Sequence, residues 1–185
     1  MKYAVVYGGI AGAVVIVIII TSMALNLTNH TTSMWFGYLV MLAALSLIFV
    51  GVKRHRDVQC GGVIRFGRAL LLGLGIGLVA GVVYVAGWEL YLAATHYDFM
   101  SDYSAHVLAA MREKGAAPAA IQAKAAEMRE LAANYRNPLF RMPMTFIEIF
   151  PVAVVVALVS ALILRNPRVL PVRRASAAER SGAEA

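Results

Sequence analysis

The chain has 185 residues, 61% of them hydrophobic, with a mean hydropathy of +0.72 and a formal charge of +7. Soluble domains run at roughly 45–50% apolar, and here the excess is gathered into long runs, which excludes an ordinary soluble domain and points to an integral membrane protein. The basic residues stand at the ends of the apolar runs, where the positive-inside rule puts them, so the charge is no nucleic-acid signature, and a lone cysteine, Cys60, excludes an internal disulfide.

The first run, about residues 3–25, is long enough to span, since ~20 residues cross the hydrocarbon core. Lys2 ahead of it and Ser22-Met23-Ala24 near its end make a weak signal-peptide pattern. The apolar stretch exceeds the ~7–15-residue core of such peptides, and Gly8 and Gly12 sit at the spacing of a packing face, so a retained span is expected. In the short uncharged loop that follows, Asn26 and Asn29 match glycosylation sequons, which we read as chance. The second run, about 34–52, opens on Trp35, Phe36 and Tyr38, side chains suited to the membrane–water boundary. It gives way to a basic loop through Arg68 with five Lys/Arg against one acid, Asp57, a cytoplasmic signature.

The third run, about 69–95, carries Gly73, Gly77 and Gly81, a ridge that lets another helix approach closely, from this chain or from another. Residues 97–137 form the one sizeable hydrophilic segment. Phe99, Tyr103, Val107 and Met111 recur at helical spacing and stop near Gly115; Pro118 opens a second helix with Ile121, Ala125, Met128, Leu131 and Tyr135 along one side. The expectation is a helical hairpin outside the membrane. Asp98, Asp102 and His106 share one helix face, but three potential ligands with no clear fourth read as a solvated face and not a metal site. The fourth run, about 139–164, has its own small-residue ridge, Ala153, Ala157 and Ala161. Residues 166–185, rich in Pro, Arg, Ala, Ser and Glu, read as a disordered basic tail. Lys and Arg divide eleven to six between the two sides, which puts both termini in the cytoplasm. The predicted fold is therefore all-α and polytopic, with four transmembrane helices in residues 1–165 and an extracytoplasmic hairpin between the third and fourth.

Two acids fall inside apolar runs, Glu89 in the third and Glu148 in the fourth, and an intramembrane carboxylate is by default a functional-site candidate. Arg141, Thr145 and Glu148 follow one helical stripe, and Glu89, Ala93 and His96 follow another. If the stripes meet, both carboxylates face Arg141 and His96 across a polar seam. Pro151, lacking an N–H, leaves the Ile147 carbonyl free beside Glu148. With small residues toward the cytoplasmic side and Trp88, Tyr91, Phe146 and Phe150 toward the other, the expected bundle is closed at one end and splayed at the other, with the acids lining an outward cleft. The acids serve as helix glue or an ion pair with Arg141, as a proton or cation site, or as a contact for lipid or protein.

Across Gly51-Val52-Lys53-Arg54-His55-Arg56-Asp57, Gly61-Gly62-Val63-Ile64-Arg65-Phe66-Gly67-Arg68-Ala69-Leu70, Gly87-Trp88-Glu89, Pro143-Met144-Thr145-Phe146-Ile147-Glu148-Ile149-Phe150-Pro151 and Ser160-Ala161-Leu162-Ile163-Leu164, the chain resembles a family of bacterial four-helix membrane proteins known only as a domain of unknown function. The likeness covers about residues 1–165. It implies a bacterial inner-membrane protein with an extracytoplasmic helical segment and brings no activity, cofactor or catalytic residue. The residues show no nucleophile–base pair or phosphate loop, and no cofactor or nucleic-acid partner is expected. The first expectation is a non-enzymatic protein that acts by assembly in the bilayer, as a homo-oligomer or bound to another membrane protein or lipid. The alternatives are a small oligomeric transporter using Glu89 and Glu148, with the third-helix glycine ridge as interface, and an envelope sensor using the hairpin.

Overall fold

The computed structural model describes residues 1–25 and 30–171. The described residues form seven α-helices and no strand: α1 Lys2–Ala24, α2 His30–Leu45, α3 Leu47–Gln59, α4 Phe66–Ala94, α5 Phe99–Glu113, α6 Pro118–Tyr135 and α7 Pro138–Leu164. Four stretches are long and apolar enough to cross a membrane, Lys2–Met23, Trp35–Gln59, Phe66–Ala94 and Pro138–Leu164. They are apolar on their outward as well as their buried sides: Ile10, Val17, Leu39, Leu71, Leu78 and Val155 are all exposed. A helix apolar all round suits a lipid surround and not water.

The second stretch is α2 and α3 joined through Ser46, which keeps right-handed helical dihedrals while its hydroxyl donates to the Ala43 carbonyl at 2.6 Å. Helix runs on to Gln59, beyond the boundary at residue 52 expected from hydropathy, because nothing in Lys53-Arg54-His55-Arg56-Asp57 breaks a helix. An i,i+4 ion pair between Lys53 and Asp57, 2.5 Å, supports that last turn. Gly61 and Gly62, both at positive φ, then end it. The hairpin has the expected form, α5 and α6 joined around Gly115 at φ +69°.

At the centre lies α4, pressed between α1 and α7. It runs parallel to α1, with Gly8 against the carbonyl oxygen of Ile76 and Gly12 against that of Ala80; a Cβ at either glycine would lie 2.5 Å from that oxygen. It runs antiparallel to α7, with Gly73 on Ala157 and Gly77 on Ala153, where an added Cβ would lie 2.9 and 2.8 Å from the alanine methyls. Ala153, Ala157 and Ala161 are all buried. The glycine ridge is thus spent within the chain, which removes it as the oligomer interface that the transport reading required.

The two ends of the bundle differ. At one, Tyr3 packs edge-on to His55, and Arg56, fully buried, donates to the carbonyls of Val169 at 3.0 Å and Leu170 at 2.6 Å and to Asp57 at 2.8 Å. The expectation of disorder from Asn166 onward is therefore corrected for its first residues, which fold back onto α3; residues 172–185 of that tail, like Asn26 and Asn29, lie outside the described residues. The other end carries the hairpin.

Gly9 offers a control for the α1–α4 contact, since a Cβ there meets nothing within 4 Å. Gly12→Ala should destabilise the bundle by about 1–3 kcal/mol through overpacking. Gly9→Ala should be neutral or stabilising by up to about 1 kcal/mol from helix propensity alone. Thermal unfolding in detergent of the two variants reads this directly; equal melting temperatures would mean that α1 is not packed backbone to backbone on α4.

Candidate functional site

The site is built where the C-terminal end of α4 and the N-terminal end of α7 meet the base of the hairpin. Asn137 caps α7, its side chain accepting from the Leu139 N–H at 3.0 Å, and Pro138 occupies the first helical position, where a missing N–H costs nothing. One turn on, Arg141 points into the bundle. It is 2% exposed, and its guanidinium is held by Glu89 of α4 through two bonds, Nε to Oε1 at 2.7 Å and Nη2 to Oε2 at 2.5 Å. Nη1 donates to the carbonyl of Tyr135, the last residue of α6, at 2.8 Å. One side chain thereby ties α4, α6 and α7 together. A planar fork on a carboxylate is the strong, directional form of an ion pair.

Aromatic rings close the pair from the outside. The guanidinium lies 5.2 Å from the Tyr97 ring centroid and 5.7 Å from that of Tyr135. Trp88 donates its indole N–H to the Tyr135 hydroxyl at 2.7 Å and meets Phe99 edge-on at 5.0 Å. Burial pushes the Tyr135 phenol above its ordinary range, so it stays protonated. Thr145 turns its hydroxyl back to the Arg141 carbonyl at 3.0 Å. Of these partners, hydropathy singled out neither Tyr97 nor Tyr135. The signal was their position, Tyr135 at the end of the second hairpin helix and Tyr97 in the short link between the third apolar run and the hairpin.

The seam expected from the two stripes divides into two places. α4 ends at Ala94, and the chain reverses through His96 at φ 52° and Tyr97 at φ 64°, left-handed values rare for residues other than glycine. Thr95 and Tyr97 N–H groups close the turn onto the Tyr91 and Leu92 carbonyls at 2.9 Å each. His96 therefore leaves the Glu89 stripe and is exposed, while Tyr97 is thrown onto Arg141.

Glu148 also parts from the pair. It is exposed on the outer surface of α7, and its one bonded partner among the described residues is the buried hydroxyl of Tyr84, which donates to Oε2 at 3.4 Å. Nor is the bundle splayed there: the Phe146 ring fills the notch left by Gly81 and stacks on Phe150. The acids line no common cleft. A cavity of about 790 Å³ does open at this end, but between α5, α6 and the tips of α4 and α7, with Arg141 in its wall and neither acid.

The Glu89–Arg141 pair is a structural clamp on this geometry. Removing one partner of a buried pair costs about 3–5 kcal/mol, whereas removing both with apolar replacements is far milder. Glu89→Leu and Arg141→Met should each lower the melting temperature in detergent sharply, and the double variant should recover part of the loss. Additive losses in the double variant would sink the clamp.

The family model described as "Protein of unknown function (DUF4199)" matches residues 2–166. No curated protein matches the chain, and no solved structure does. The match runs from α1 to the end of α7, through every element just described, and the chain belongs to that family.

Proposed function

We propose that this chain is a non-enzymatic membrane protein that works by assembly, joining a second copy of itself along the outer face of α7. The observation that carries the reading is Glu148. α7 has 27 residues and so a length of ~40 Å, and Glu148 lies ~15 Å from its start, well inside a hydrocarbon layer ~30 Å thick. An exposed carboxylate at that depth costs at least a few kcal/mol in lipid and calls for a polar partner. Tyr84 gives it one long hydrogen bond. A second Glu148 suits the rest: a protonated carboxyl both donates and accepts, so it is complementary to itself across a two-fold axis. Met144, Ile147 and Val155, all exposed, would flank the contact. Both termini and the basic end would face the cytoplasm of a bacterial cell, with the hairpin across the inner membrane.

The rival reading, an oligomeric transporter that shuttles protons or cations between Glu89 and Glu148, loses support because Arg141 occupies both oxygens of Glu89. Self-association is measured by energy transfer between labelled copies in liposomes at rising lipid dilution. Wild type should associate, and Glu148→Leu should weaken this by about 3- to 30-fold, the worth of one intramembrane hydrogen bond. Glu148→Gln, which still donates and accepts, should stay near wild type. Equal association of wild type and Glu148→Leu would refute the reading; proton flux abolished by Glu148→Gln would favour transport instead.

A further inference from the structure

The cavity beneath the hairpin carries a separate inference, independent of Glu148. Its volume of about 790 Å³ falls in the range of small-molecule sites. Its floor is apolar, with Leu92, Met100 and Met128 all buried. Its polar lining is cationic. Arg129 on α6 and Arg136, the residue just past its end, stand seven residues apart in the lining, both exposed, and none of the four ion pairs among the described residues involves either. Arg141 contributes no net charge, being matched by Glu89. Asp98 is the one acid in the lining, so two guanidiniums face a single carboxylate. His96 and the Ser101 hydroxyl add hydrogen-bonding groups at the wall.

We propose that this cavity binds a phosphate group carried by an amphiphile, Arg129 and Arg136 gripping the phosphate while the apolar part lies on Leu92, Met100 and Met128. Guanidinium forks match phosphate oxygens in geometry and charge. The position agrees, because the cavity sits at the tips of α4 and α7, the level at which lipid headgroups meet spans of this length, and basic pockets beside spans are suited to anionic headgroups. The same phosphate chemistry would also accept a soluble phosphate ester, and the test separates the two sources.

The full chain in a neutral detergent is titrated with fluorescent phosphatidylglycerol, and the bound probe is competed with unlabelled phosphatidylglycerol, phosphatidylcholine or glycerol 3-phosphate. The variants are R129Q/R136Q and, as a charge-matched control, R112Q/K114Q, which lies on the same hairpin but outside the cavity lining. Both pairs are exposed, so folding should survive. We expect saturable binding that is at least about tenfold weaker in R129Q/R136Q, the loss of about one charge-assisted hydrogen bond or more, and unchanged in R112Q/K114Q. Displacement by phosphatidylglycerol but not by glycerol 3-phosphate assigns the site to a lipid headgroup; displacement by glycerol 3-phosphate at similar concentration keeps the phosphate site and makes its ligand soluble. Equal affinity in wild type and R129Q/R136Q, or an equal loss in both double variants, would overturn the site.

Discussion

Everything in this bundle hangs on how closely α4 is approached from two sides. On α1 the absence of a side chain at Gly8 and Gly12 brings backbone to backbone, so that the carbonyls of Ile76 and Ala80 lie where a Cβ would be. On α7 the facing pairs are Gly73 with Ala157 and Gly77 with Ala153. In a bilayer, where burying apolar surface gains little between helices, such close packing is a main source of association. It also sets the register. Glu89 lies twelve residues beyond Gly77 on α4, and Arg141 twelve before Ala153 on the antiparallel α7. The small-residue contact that fixes one end therefore delivers acid and base to the same level ~18 Å away.

The two buried arginines do matching work at opposite ends. Arg56 binds Asp57 and the carbonyls of Val169 and Leu170; Arg141 binds Glu89 and the carbonyl of Tyr135. In each case an acid pairs with the guanidinium and further donors reach backbone carbonyls outside the span. The Tyr135 carbonyl, at the end of α6, is one that has no partner within its own helix. Guanidinium has enough fixed donors to serve a carboxylate and a carbonyl together, which an ammonium could do only with less directional control. These contacts hold α6 and the chain after α7 against the spans.

Four apolar runs, the hairpin with its Gly115 and Pro118, and the small-residue spacings were legible in the sequence because each depends on local composition or period. Where the ridges went was not legible, since Gly73 and Gly77 fit a partner from any chain equally well. The helical extension to Gln59 was hidden by charge, because hydropathy stops at Lys53 while helix formation does not. The seam failed for a backbone reason: spacing from Glu89 to His96 presumes helix through Thr95, and the left-handed His96 and Tyr97 break it. Glu148 failed for a reason of side. The buried row of α7 runs at intervals of four through Arg141, Thr145 and Ile149 and so drifts around the helix, which leaves Glu148, one residue short of Ile149, at the surface.

That drift separates two acids that share an apolar setting into different physical situations. Glu89 has a cation at its own level, two bonds to it, and a carbonyl and two rings that complete the cation's surroundings. Both of its oxygens are taken by Arg141 inside the chain. Glu148 has a neutral phenol at 3.4 Å and an open side. The buried guanidiniums of Arg56 and Arg141, toward the two ends, are bound at 2.5–3.0 Å, whereas Glu148, in the middle of α7, has one bond of 3.4 Å. The two acids thus differ in geometry, Glu89 closed within the chain and Glu148 with an open side.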